Sequence, residues 1–209
     1  MPRQNRVTPL SELIATEARG TLMGNRGCLH DDQGQISGRR WATHAWVICL
    51  LSFKDRKRQL MQPGRYTELF FLDEATALAA GHRPCGECRH ADHHAFRAAW
   101  WRGNPVPTGM TPGSLSLLDR TLHTERTARM NGEAFHEPLA DLPDGTMIIL
   151  PGQEGCWLVL GDELARWSPE GYTERVPRPG EEVAVITPPS TVRAIRAGFE
   201  PGLHPTAND

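Results

Sequence analysis

Apolar and polar positions in this chain follow two regimes. Up to about residue 130, apolar strands and helix-period stretches alternate; beyond Pro143-Asp144-Gly145 the apolar residues fall in short runs parted by turns. In the first regime, Ser11 to Arg19 reads as a short capped helix stopped at Gly20. Met23 to Asp32 is glycine-rich and irregular. Two strands are predicted next, one within Trp41–Phe53 around Trp46-Val47-Ile48-Cys49-Leu50-Leu51, the other within Tyr66–Leu72 around Leu69-Phe70-Phe71. The polar connection between them closes on Pro63-Gly64, which predicts an antiparallel hairpin. A helix over 73–80 follows, then a turn, then a helix from about Ala91 to Arg102. Residues 103–113, with three prolines and three glycines, form a loop. Ser114 caps a helix running to about Met130.

In the second regime the runs Met147–Leu150, Trp157–Leu160, Leu164–Trp167 and Val183–Ile186 predict a small antiparallel meander, and a last helix spans Ser190 to Gly198. The expected fold class is α+β. The expected division is a region 1–140 with flanking helices and a β-rich region 141–209 that ends in a short helix.

Composition narrows the setting. At 209 residues and 39% hydrophobic content the chain can bury a core. No run approaches the roughly 20 apolar residues of a membrane span, and no apolar stretch follows Met1-Pro2-Arg3, so the expected setting is cytoplasmic, without a membrane partner. Five cysteines, an odd number, disfavour a disulfide framework and leave metal, redox or burial. Net charge is −2, but residues 1–66 carry eleven Lys/Arg against five Asp/Glu, a net +6, and the remainder carries −8. Arg39, Arg40, Lys54, Arg56, Lys57 and Arg58 concentrate the positive end. A solvated hairpin tip explains such a cluster; contact with nucleic-acid phosphates is the functional alternative. Arg83 and Arg89 extend that alternative toward the cysteines.

The sharpest motif is Pro84-Cys85-Gly86-Glu87-Cys88, between two predicted helices. A Cys-x-x-Cys pair brings two thiolates close enough for one metal ion or one disulfide. A closed zinc site takes four ligands, so two more are needed. The residues available are Cys49, Cys28, His30, His44 and His123, with His90, His93 and His94 nearby and Cys156 at the start of an apolar run.

The stretch Phe70-Phe71, an acidic and alanine-rich helix, and Ala80-Gly81-His82-Arg83-Pro84-Cys85-Gly86-Glu87-Cys88-Arg89 resembles the second half of the metal-binding domain of the Ada DNA-repair protein. The resemblance covers residues 68–89, about a tenth of the chain. It implies an Ada-like zinc-binding region in the N-terminal half, with zinc held by cysteines, one of which accepts methyl groups from DNA phosphotriesters. Cys49, after an apolar strand, matches the family's first cysteine. The second family cysteine lies four residues on, where this chain has Phe53. The expected ligands are therefore Cys85, Cys88, Cys49 and Cys28, with His30 the alternative to Cys28.

Three other chemistries compete. A zinc deaminase pairs Pro-Cys-x-x-Cys with an upstream His-x-Glu, but His44-Ala45-Trp46 puts an indole where the proton shuttle belongs. A dithiol oxidoreductase gains from a thiol near a helix N-terminus but lacks the βαβ context. A non-catalytic binding module is the third.

Overall fold

The computed structural model describes residues 1–54, 59–106 and 108–208. Among these residues, four helices and two six-stranded sheets make an α+β protein. The first sheet contains β1 (Gln4–Val7), β2 (Leu13–Ala15), β3 (Leu22–Asn25), β4 (Val47–Cys49), β5 (Leu69–Phe71) and β6 (Arg83–Pro84), in the spatial order β2-β1-β5-β3-β4-β6. The second contains β7 (Phe135–Pro138), β8 (Met147–Ile149), β9 (Trp157–Leu160), β10 (Glu163–Ser168), β11 (Gly171–Pro177) and β12 (Glu182–Val185), in the order β11-β10-β9-β8-β12-β7, with every pairing antiparallel. The helices are α1 (Glu74–Ala79), α2 (His90–Gly103), α3 (Leu115–Met130) and α4 (Pro189–Arg196). No helix of the described residues is long and apolar enough to cross a membrane.

All four apolar runs of the C-terminal part become strands. The sheet gains β7 and β11 besides, one at each edge. Edge strands face solvent along one side and carry polar residues such as His136, Thr173 and Glu174, which hides them from a search for apolar runs. Ser114 caps α3 as expected, its hydroxyl accepting from the Leu117 N–H at 3.3 Å.

Two expectations for the N-terminal part are corrected. The helix over 11–19 is absent: the chain turns at Pro9-Leu10 and runs back as β2 against β1, pairing Val7 with Leu13 and Gln4 with Ala15. Ser11 sits at the turn with φ 72, a left-handed conformation that no helix start tolerates, and its N–H donates to the Thr8 carbonyl. Burying Val7 in the core outweighs the mild helix preference of the Ala and Glu residues. Second, β4 and β5 form no hairpin with each other. The glycine-rich segment supplies β3, which inserts between them and pairs antiparallel with both. Gly24 makes this possible, because a Cβ there would run into the Val47 carbonyl oxygen of β4.

Helix α1 lies where the two cores meet, and all six of its residues are buried. Ala77 and Leu78 pack with Ile48, Phe71, Phe96 and Leu118 of the first core; Ala75 and Ala79 pack with Met147, Leu158 and Tyr172 of the second. Its N-terminus is closed by Asp73. Asp73 Oδ1 accepts from the Thr76 N–H (2.8 Å) and hydroxyl (2.7 Å), and Oδ2 accepts from the Tyr172 hydroxyl (2.8 Å) and the His204 N–H (3.0 Å). Burial, and then the Asp73 charge, pushes the Tyr172 phenol well above its ordinary range, so it remains a donor. Helix α4 returns to the N-terminal half. Ile195 and Phe199 join the first core, Phe199 edge-on to Phe96 at 5.1 Å, and Asn104 ties α2 to the Ser190 carbonyl at 2.9 Å.

Replacing Asp73 with Ala strands the Tyr172 hydroxyl and the His204 N–H in the interior and removes the cap. We expect a loss of about 3 kcal/mol of stability, read from the urea unfolding midpoint. Gly24→Ala forces β3 away from β4 and should cost about 2 kcal/mol by the same measurement. A neutral Gly24→Ala variant would contradict the close approach of these two strands.

Candidate metal centre

Backbone register brings the thiols together. Strand β6 pairs parallel with β4, Val47 opposite Arg83 and Ile48 opposite Pro84. The pairing is sealed by the Arg83 N–H donating to the Trp46 carbonyl at 3.1 Å and the Cys85 N–H to the Ile48 carbonyl at 2.9 Å. Cys49 and Cys85, each one residue beyond the Ile48/Pro84 pair, therefore lie side by side. The chain then turns through Gly86 and Glu87, and the Arg89 N–H donates to the Cys85 carbonyl at 3.1 Å as α2 begins. That turn returns Cys88 to the other two, and the three Sγ atoms lie within 4.8 Å of one another. Among the described residues no fourth His, Cys, Asp or Glu atom joins the group.

The trio is electrostatically uneven. The Cys85 thiol is drawn down to about 4, first by the hydrogen bond from the Cys49 thiol and then, against burial, by the backbone N–H groups of Cys88 and Glu87, the latter at 3.4 Å. Cys49 is pushed up by that same bond to Cys85 and then by burial; Cys88 is pushed up mainly by burial, and the Leu50 N–H offsets part of this. Cys85 is thus the thiolate of the group. A turn that aims two N–H groups at one sulfur is suited to negative charge there, and this donor set can hold a metal ion.

Ion pairs brace the frame around the thiols. Arg83 forms a fork with Asp119 of α3, Nε to Oδ1 at 2.6 Å and Nη2 to Oδ2 at 2.9 Å. Arg89 bridges Glu74 of α1 at 2.7 Å and Asp92 at 2.8 Å. Both arginines are buried, so they brace the turn and do not reach outward for phosphates. His93 bonds the Pro84 carbonyl through Nδ1 at 3.0 Å, and its ring lies against Gly86.

Of the four expected ligands, the structure gathers Cys49, Cys85 and Cys88 and places Cys28 outside the group. The reason is strand direction. Strand β3 runs antiparallel to β4, with Met23 opposite Cys49 and Asn25 opposite Val47, so residues beyond Asn25 leave toward the end of β4 away from the thiols. Cys28 Sγ lies 3.5 Å from the His30 carbonyl instead. His30 is held by the Thr67 hydroxyl at 2.6 Å and the Gln62 carbonyl at 3.1 Å. His44 precedes β4 and stacks on His123 of α3 at 4.0 Å, while His90 and His94 pair along α2, Nε2 to Nε2 at 3.1 Å. Cys156 is buried in the core of the second sheet.

Arg39, Arg40 and Lys54 are exposed, and the Lys54 ammonium lies 5.1 Å from the Phe53 ring centroid. Arg56, Lys57 and Arg58 lie outside the described residues. A buried set of cations was not anticipated. The guanidiniums of Arg26 and Arg126 both lie over the Trp46 ring, at 4.1 and 3.9 Å from its centroid, and Arg26 Nε donates to His82 Nε2 at 3.3 Å. The sequence signal was slight: an arginine between glycines in Gly24-Asn25-Arg26-Gly27, and one at helical spacing among apolar residues of α3. No protein-family model matches the chain, and no curated protein or solved structure matches it either.

Proposed function

We propose that the protein binds zinc through Cys49, Cys85 and Cys88. The observation that carries this reading is the convergence of three sulfur atoms within 4.8 Å, two of them on a turn whose N–H groups favour thiolate. Sulfurs around a tetrahedral zinc, each at about 2.3 Å from the metal, sit roughly 3.8 Å from one another, so small side-chain rotations suffice. Three protein ligands leave the fourth position to a group from elsewhere. The resemblance of residues 68–89 to the Ada metal-binding domain supports zinc as the metal and Cys49 as the counterpart of that family's first ligand.

We also propose association with nucleic acid through the basic N-terminal third. The charge division, +6 before residue 67 and −8 after it, supports this reading, and Lys54, Arg56, Lys57 and Arg58 are its densest part.

Purified protein should carry close to one equivalent of zinc by elemental analysis. Cys85→Ser should release most of it and lower the unfolding midpoint, since metal binding is coupled to folding. Less than about 0.2 equivalents under non-chelating conditions rules the zinc reading out. Loss of two hydrogen masses between Cys85 and Cys88, without metal uptake, assigns the trio to thiol redox chemistry instead. Binding to a DNA or RNA oligonucleotide should weaken steeply with salt and weaken again when Arg56, Lys57 and Arg58 become Ala. Salt-independent or undetectable binding to both contradicts the nucleic-acid reading.

A further inference from the structure

Away from the thiols, a cavity of about 400 Å³ opens between the β1–β2 turn, the loop after β3 and the end of α3. Four arginines line it: Arg26, Arg39, Arg40 and Arg129. Glu12 is the one carboxylate among its lining residues. Arg26 is only 1% exposed, and its Nη2 has no hydrogen-bond partner among the described residues. Buried cations are ordinarily paired with a carboxylate. Here no carboxylate among the described residues lies within ion-pair distance of Arg26, Arg126 or Arg129, and Asp119, the acid that acts on Arg126, is already forked to Arg83. The interior thus holds an excess of positive charge that Glu12 and Asp119 offset only in part.

The two inner arginines are also fixed in place. Ser11, at φ 72, offers its carbonyl to Arg26 Nη1 at 3.1 Å and its hydroxyl to Arg129 Nη2 at 2.7 Å, while its own hydroxyl donates to the Ala80 carbonyl at 2.9 Å. Trp46 holds the Arg26 guanidinium from one face. Arg39 and Arg40 stand exposed at the rim. Apolar walls come from Leu13, Ile36 and Met130.

We infer that this cavity binds a phosphate group carried on an organic molecule, with the arginines facing the phosphate and the apolar wall receiving the organic part. The inference is independent of the metal centre. The charge excess selects an anion; guanidinium geometry selects a planar-fork acceptor such as phosphate or carboxylate oxygens; and four cations against one acid favour the doubly charged phosphate monoester. The volume is several times that of one phosphate and falls in the range of small-molecule sites. The phosphate monoester can come from a free small molecule or from the terminal phosphate of a nucleic-acid chain.

The test is thermal unfolding and calorimetric titration of the full chain as purified with inorganic phosphate, AMP, adenosine and a short 5′-phosphorylated single-stranded oligonucleotide, at constant ionic strength. We expect saturable stabilisation by AMP, weaker stabilisation by phosphate and none by adenosine. Arg40→Ala and Arg39→Ala, both at exposed positions that leave the core intact, should each weaken AMP binding about tenfold. Arg26→Ala should abolish it; should that variant not fold, the rim variants still decide. An oligonucleotide that displaces AMP and binds more tightly assigns the phosphate to a nucleic-acid chain; AMP binding without displacement assigns it to a small molecule. No stabilisation by AMP or phosphate at about 10 mM, or stabilisation unchanged in both rim variants, overturns the inference.

Discussion

The buried start of α1 is the constraint on which the rest of the molecule depends. A carboxylate buried this deeply is tolerated only when its lone pairs are taken, and Asp73 takes four donors from three parts of the chain. Two are local and begin the helix. The others, from Tyr172 of the second sheet and His204 near the C-terminus, tie that helix to the C-terminal half. The next residue repeats the arrangement, Glu74 accepting from the Gly202 N–H at 3.0 Å and pairing with Arg89 at the base of α2. A six-residue helix has little stability of its own. Its position is fixed by these bonds and by two cores that it fills from opposite sides.

From that fixed helix the geometry of the thiols follows. The chain leaves α1 through Gly81, at φ 85, where a Cβ would strike Arg126 of α3, and goes straight into β6. Two residues of parallel pairing with β4 are enough to set Cys85 beside Cys49, because register in a sheet is discrete and a slip of one residue turns side chains to the other face. The turn that follows adds Cys88 and supplies N–H donors that, after the Cys49 thiol, draw the Cys85 thiol down. Fold and site chemistry are therefore one construction: the braces at Asp119, Glu74 and Asp92 hold the backbone, and the backbone holds the sulfurs.

What could be read from the sequence was what local rules control. Ser114 marks the start of α3 by capping chemistry, and α1, α2 and α3 stand within a residue or two of their expected limits. The Cys-x-x-Cys turn and the apolar strand ending in Cys49 were likewise legible. Long-range placement was not. Nothing local indicates that β3 inserts between β4 and β5, and that insertion carries Cys28 to the end of β4 away from the three thiols. Segment 11–19 has helix-compatible residues, yet Ser11 in a left-handed turn makes it a strand and delivers hydrogen-bond acceptors to the buried Arg26 and the half-buried Arg129. Buried arginines are hard to foresee in general, since their stability rests on a cavity, a ring and a carbonyl brought in from distant segments.

The central claim is that three thiolates bind one zinc ion, and the direct measurement is X-ray absorption at the zinc edge of the purified protein. The account predicts a first shell containing three sulfur scatterers at about 2.3 Å, falling to two in Cys49→Ser. A shell of only oxygen or nitrogen at about 2.0 Å would contradict it, as would a wild-type spectrum left unchanged by that substitution.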